Sequence, residues 1–212
     1  MVLFEDTHLI VINKPAGLLS QGESKGDPNL VDALREYFGR NYVGLVHRLD
    51  RNTSGVIVVA KRTKSAQRLT EALQKDKMER VYLALLCGKL AAPARWQHYL
   101  KKNERDNRVT AFKREAPGAQ MSALSVKPLE YKKLKGLDLT LAEFRLETGR
   151  SHQIRAQSAA EGFPLLGDRK YGAPVSDFSR PALHSWKIKF PHPMSAEILE
   201  LTAPIPGDML AI

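Results

Sequence analysis

The apolar residues of this chain fall in short, strand-length runs, and the stretches between them leave little room for repeated strand–helix–strand crossovers. His8 to Asn13 reads as a short buried strand, ended by the turn residues Lys14-Pro15-Ala16-Gly17. Gly55 to Ala60 reads as a strand covered on both faces, and Arg80 to Cys87 as a second buried strand ended by Gly88. Residues 95–135 read as basic strands and loops, with a hairpin turn at Glu115-Ala116-Pro117-Gly118. Leu137 to Leu146 alternates in part. His184–Phe190 and Glu197–Thr202 add two tail strands around Pro191-His192-Pro193.

Helical patterns are fewer. Asp27-Pro28 signals a helix start, and Leu30, Ala33, Leu34, Tyr37 and Phe38 follow at helical spacing up to Gly39. Ala66, Leu69 and Leu73 mark a second amphipathic helix, and Ser151 is expected to cap a third running to about Glu161. Together these elements predict an α+β fold with a mixed, mainly antiparallel sheet and flanking helices. With 212 residues and neither repeats nor a long linker, residues 1–212 are expected to form a single domain.

Charge adds a partner class. Lys and Arg total 33 against 23 Asp and Glu, a net charge of +10. The segment Lys61–Lys135 holds 19 basic and 7 acidic residues, a local excess of +12. Such an excess fits a polyanion such as nucleic acid, the plainer alternative being a solvated basic face. No apolar run approaches the roughly 20 residues of a spanning helix, and the N-terminus lacks a signal-peptide pattern. A cytoplasmic location without membrane attachment is expected. The single cysteine, Cys87, lies in an apolar strand and reads as a buried structural thiol.

Several chemistries lose ground at once. A dinucleotide fingerprint, a P-loop, a Gly-x-Ser-x-Gly elbow and His-Glu-x-x-His are all missing. The histidines at 8, 47, 98, 152, 184 and 192 have no metal-ligand spacing. Two polar clusters remain. In His47-Arg48-Leu49-Asp50-Arg51-Asn52-Thr53-Ser54-Gly55, seven of nine side chains can make specific polar contacts, and the arginines beside Asp50 favour its carboxylate form. That suits a nucleophile or base, although a strand–turn with a local Arg–Asp pair fits equally. In Glu147-Thr148-Gly149-Arg150-Ser151-His152-Gln153-Ile154-Arg155, a helix starting at Ser151 would put His152 and Arg155 on one face. Its first N–H groups would suit an anion; an ordinary capped helix is the alternative.

His47-Arg48-Leu49-Asp50 followed by Thr53-Ser54-Gly55 resembles the signature of the RluA-type family of RNA pseudouridine synthases. The resemblance spans nearly the whole chain. Val11 to Leu18 resembles the first family motif, Arg80-Val81-Tyr82-Leu83-Ala84 the tyrosine motif, and Thr148 to Arg155 the third. Pro164-Leu165-Leu166-Gly167-Asp168 with Tyr171-Gly172 resembles the fourth. Ala156-Gln157-Ser158 departs from the Val-His-Leu type continuation of that family.

The resemblance implies a pseudouridine synthase catalytic core with a central RNA-binding cleft and, at this length, no N-terminal S4-type RNA-binding module. It implies isomerisation of uridine to pseudouridine without cofactor or metal: the N1–C1′ bond breaks, the uracil turns, and C5 joins C1′. Asp50 matches the catalytic aspartate, Tyr82 the tyrosine that packs on the target base, and Arg155 the basic residue paired with the catalytic carboxylate. Arg48 matches the arginine that helps to hold the flipped nucleotide. His47, Thr53 and Ser54 are expected to support the loop, and Arg150, His152 and Gln153 to contact RNA or loop. Lys14 and Asn13 are expected to line the cleft or end a strand. The implied partner is structured RNA, rRNA or tRNA with a loop uridine, bound by a monomer with no obligate protein partner. A non-catalytic RNA binder on this fold would not need Asp50, Tyr82 and Arg155 together. A hydrolase using Ser54 or Ser151 would leave the basic charge unexplained.

RNA affinity is therefore expected to fall steeply with salt, since the Lys61–Lys135 segment should neutralise several phosphates. A binding titration from low to physiological salt checks this, and salt-independent affinity would remove the segment from the interface.

Overall fold

The computed structural model describes all residues except Glu23, Lys25 and Ile212. Its strands, in chain order, are β1 (Val2–Glu5), β2 (Leu9–Lys14), β3 (Gly44–Leu45), β4 (Ser54–Ala60), β5 (Glu79–Cys87) and β6 (Ala94–Asn103). There follow β7 (Arg108–Phe112), β8 (Gln120–Leu134), β9 (Leu137–Leu146), β10 (Leu183–Pro191) and β11 (Ile198–Thr202). The helices are α1 (Leu30–Phe38), α2 (Thr63–Gln74), α3 (Gln153–Ala160) and the short α4 (Gly207–Leu210). Among the described residues no helix is long and apolar enough to cross a membrane. Two compact units result, one from Met1–Arg80 with His184–Pro206, the other from Val81–Leu183 with Gly207–Ile212.

In the first unit the strand order is β1-β2-β4-β10, with β3 on β4 and β11 on β10. β2 runs antiparallel to β4, from Leu9 opposite Ala60 to Lys14 opposite Gly55. β10 runs parallel to β4, which makes the sheet mixed as expected. All seven residues of β4 are buried, and this explains its unbroken apolar run. Leu9, Val11, Val56, Val58, Ile188 and Phe190 pack with Leu69 of α2 into one core cluster. α1 starts at the cap Asn29, whose Oδ1 accepts from Asp32 N at 3.0 Å, and ends at Gly39 with φ +61°.

Two devices lock the end of β2 to the start of β4. Gly55 has φ +116°, and a Cβ there would lie 2.1 Å from the Ser185 carbonyl oxygen on β10. Only glycine permits that approach. Lys14 is fully buried, and its Nζ donates to the carbonyls of Pro15 (2.9 Å), Leu18 (2.7 Å) and Arg51 (3.2 Å). An ammonium without water needs such acceptors, so the lysine gathers two loops around itself.

The second unit has the antiparallel order β5-β9-β8-β6-β7. Here one expectation fails. The Glu115–Gly118 turn joins β7 to β8, which lie on opposite sides of β6, so it is not a hairpin between paired strands. Turn residues mark where a chain reverses, but not which strand it meets next. The tight hairpin is instead β8–β9, turning through Lys135 (φ +49°) and Gly136 (φ +84°), both left-handed as a two-residue turn requires. The β8 register shifts between Pro128 and Glu130, an irregularity next to the one residue of the strand that has no N–H to donate. Trp96 on β6 meets Phe144 edge-on at 5.9 Å and stacks on Phe163 at 6.4 Å, carrying the core towards α3.

Gly55→Ala should destabilise the protein by about 3 kcal/mol or more through backbone clash and forbidden φ. Lys14→Met should cost a similar amount by taking the ammonium donor from the carbonyls of Pro15, Leu18 and Arg51, of which Arg51 keeps its bond from Gly17 N. At this chain length each should lower Tm by about 6–12 °C. Gly207→Ala, with no atom within 4 Å of the added Cβ, should leave Tm nearly unchanged. Thermal unfolding of the three variants measures all of this.

Candidate active site

In the first unit the His47–Gly55 segment is a loop braced almost entirely by main chain. Asp50 opens a turn in which Thr53 N donates to the Asp50 carbonyl at 3.0 Å. Ser20 Oγ donates to the Leu49 carbonyl (2.8 Å) and accepts from Leu49 N (3.0 Å), one residue before the carboxylate. Gly17 N donates to the Arg51 carbonyl at 2.8 Å, Arg51 Nε donates back to the Gly17 carbonyl at 3.1 Å, and Lys14 holds the same Arg51 carbonyl. Asp50 is thus half-buried on a turn gripped from both sides by the 14–20 segment.

The loop's flanks are anchored inward. His47 Nε2 accepts from Val58 N at 3.1 Å, which needs the neutral ring. Desolvation, helped by the nearby charge of Arg80, lowers the His47 pKa from 6.5 to about 3 and keeps it neutral. Thr53 and Ser54 are buried, with Ser54 Oγ 2.9 Å from His184 Nδ1. Arg48, by contrast, is exposed and forms no ion pair among the described residues.

Tyr82 and Arg155 lie in the second unit. Tyr82 sits on β5 opposite Phe144 and is 7% exposed. Arg155 is buried in α3, where Asp168 holds it with two hydrogen bonds, Nε–Oδ2 at 2.6 Å and Nη2–Oδ1 at 2.9 Å. Its guanidinium also lies 5.0 Å from the centroid of the Tyr171 ring. The Tyr171 hydroxyl accepts from Val109 N at 2.8 Å and lies 2.9 Å from His152 Nδ1. His152 and Arg155 do converge, therefore, on Tyr171.

The helix start differs from expectation. α3 begins at Gln153, His152 is left-handed (φ +49°), and Ser151 is exposed and caps nothing. Among the described residues no side chain caps the helix; Gln153 instead holds the turn before it, its Oε1 accepting from Arg150 N (3.0 Å) and Thr148 Oγ1 (2.8 Å) and its Nε2 donating to the Ala123 carbonyl (3.0 Å). Its bonds brace the turn against β8, while Arg150 stays exposed.

Lys14 is fully buried and so does not line a cleft; it organises the Asp50 loop from behind. Asp168 and Tyr171 stood in the fourth motif without a role. A buried arginine's need for a buried acid is the signal that could have assigned Asp168. Cys87 is buried as expected, with burial raising its pKa to about 11.

The profile of the RNA pseudouridylate synthase family matches residues 8–160. An uncharacterized RNA pseudouridine synthase of Bacillus subtilis is 36% identical over 98% of this chain and 69% of its own length. The ribosomal large subunit pseudouridine synthase D of Nitrosomonas europaea is 37% identical over 100% of this chain and 63% of its own. The chain thus spans about two thirds of the length of these relatives. Among solved structures, human RNA pseudouridylate synthase domain containing 1 superposes with a TM-score of 0.80 at 25% identity, covering 96% of this chain and 82% of that one. Its four ordered motifs, its α+β fold and these full-chain likenesses have one explanation: the chain belongs to the RNA pseudouridylate synthase family and, within it, to the RluA type.

Proposed function

We propose that this chain isomerises loop uridines of ribosomal RNA to pseudouridine, with Asp50 as the essential carboxylate. The observation that carries the reading is the Asp50 turn, whose main chain is fixed in place by Lys14, Gly17 and Ser20. A fixed charge close to a glycosidic carbon or its C2′ proton needs no reorganisation during reaction. Tyr82 is the residue for packing on uracil. Arg155 serves the reaction as a cation whose guanidinium plane is set by Asp168 and Tyr171. Exposed Arg48 and Arg150 take RNA. The names of the bacterial relatives support a ribosomal target; the protein works as a monomer in the cytoplasm.

Asp50→Asn keeps the shape and removes the charge, so product should fall by about 10²–10⁴-fold or more while RNA binding persists. Tyr82→Ala should weaken function more than Tyr82→Phe, because stacking contributes about 1–3 kcal/mol per base and the phenylalanine keeps it. Carbodiimide mapping of pseudouridine in ribosomal and transfer RNA, with and without the gene, reads the target. Substantial product from well-folded Asp50→Asn would overturn the assignment, and a signal confined to transfer RNA would overturn the ribosomal target.

A further inference from the structure

Four basic side chains are buried among the described residues: Lys14, Arg80, Arg155 and Arg180. Three are neutralised or solvated from within. Lys14 has its three carbonyls, Arg155 has Asp168, and Arg180 has Asp208 at 2.7 and 2.8 Å together with the carbonyls of Pro181 and Leu183. Arg80 is the exception. It is 9% exposed, forms no hydrogen bond or ion pair with any described residue, and its Nε is sealed from solvent without an acceptor. A buried charge left unpaired is among the more costly features a fold can carry.

The surroundings indicate what would complete it. The charge of Arg80 acts on the buried ring of His47, the first residue of the segment that carries Asp50. On β5 it stands two positions before Tyr82, so the two side chains leave the strand on the same face. The neighbouring imidazole is neutral and supplies no counter-charge. A planar guanidinium with free N–H groups matches the oxygens of a phosphodiester, which accept two parallel hydrogen bonds.

We propose that Arg80 is an anion-binding residue that takes a backbone phosphate of the RNA bound at the His47–Gly55 loop. The proposal rests on the RNA-modifying reading above and adds to it a named contact that holds the strand in place. Arg80 is a binding and positioning residue; it takes no part in bond making or breaking.

The test measures binding of a fluorescein-labelled ribosomal stem–loop with uridines in its loop, by anisotropy across a salt series. Proteins compared are the wild type, Arg80→Gln, Arg80→Met and Arg80→Lys, each with its Tm. Arg80→Gln and Arg80→Met should bind about tenfold more weakly, with the slope of log K against log salt shallower by about one. Their Tm should be unchanged or higher, because an unpaired buried charge has gone. Arg80→Lys should restore the slope and only part of the affinity. An unchanged slope in both neutral variants overturns the proposal, as does a fall in Tm in both with slope unrestored by lysine. If one neutral variant fails to fold, the other decides. Binding is read apart from turnover: Arg80-dependent binding by a chain that forms no pseudouridine contradicts only the isomerase reading. An active chain with an Arg80-independent slope contradicts only the phosphate contact.

Discussion

The buried ammonium of Lys14 is the interaction on which the Asp50 loop depends. Three N–H donors meet three carbonyl oxygens, two from the 15–18 turn and one from Arg51. Without that charge the Pro15 and Leu18 carbonyls would lose its N–H donors in a water-free space. With it, the two turns are drawn onto a single point at the end of β2, directly opposite Gly55. An arginine would not substitute, since its flat fork cannot direct donors to three carbonyls around one compact centre. The position of Asp50 is therefore inherited from the backbone of two strand ends.

The second unit solves a different problem with the same economy. Arg155 is a charge inside a helix with little polar surface around it, and Asp168 arrives from the turn after α3 to neutralise it. Tyr171, three residues further on, covers the guanidinium with its ring and ties its hydroxyl to β7 through Val109 N. His152 reaches the same hydroxyl. The third and fourth motifs are thus one packed assembly, although they read in the sequence as two polar segments separated by Ala156–Phe163.

What the sequence made legible follows from how local each signal is. The β4 run is apolar throughout because the strand is enclosed, and α1 carries its cap and its left-handed glycine within a few residues of its ends. The partner of a strand is not local. The order β8-β6-β7 depends on which edge satisfies which backbone groups, so the Glu115–Gly118 turn was legible and its neighbours were not. Likewise Ser151 has the composition of a cap, yet the turn before α3 is held by Gln153, whose longer side chain reaches Arg150 N, Thr148 and Ala123 together. The Asp50 loop was visible as a polar island between apolar runs. The carbonyls that hold Lys14 belong to the backbone and leave no trace in residue types.

The departure at Ala156-Gln157-Ser158 lies in a helix whose extent was legible from its ends but not from its period. Every residue of α3 from Gln153 to Ser158 is buried, so no polar face remains to reveal its period. Gln157 Nε2 donates to the Trp96 carbonyl at 3.1 Å and lies 3.1 Å from His98 Nδ1, while His98 Nε2 lies 3.1 Å from Glu161 Oε1. Burial lowers the His98 pKa, against the opposing pull of Glu161, and the neutral ring can accept from the amide. The helix carrying Arg155 is consequently docked on β6 by directional bonds as well as by apolar packing. Apolar contacts alone would let a short helix slide or rotate at modest cost, whereas an amide bonded to one main-chain carbonyl fixes both its register and its roll. The polar residues that break the expected motif therefore do the same work as Lys14 in the other unit, setting the place of a charged side chain through the backbone of a neighbouring element.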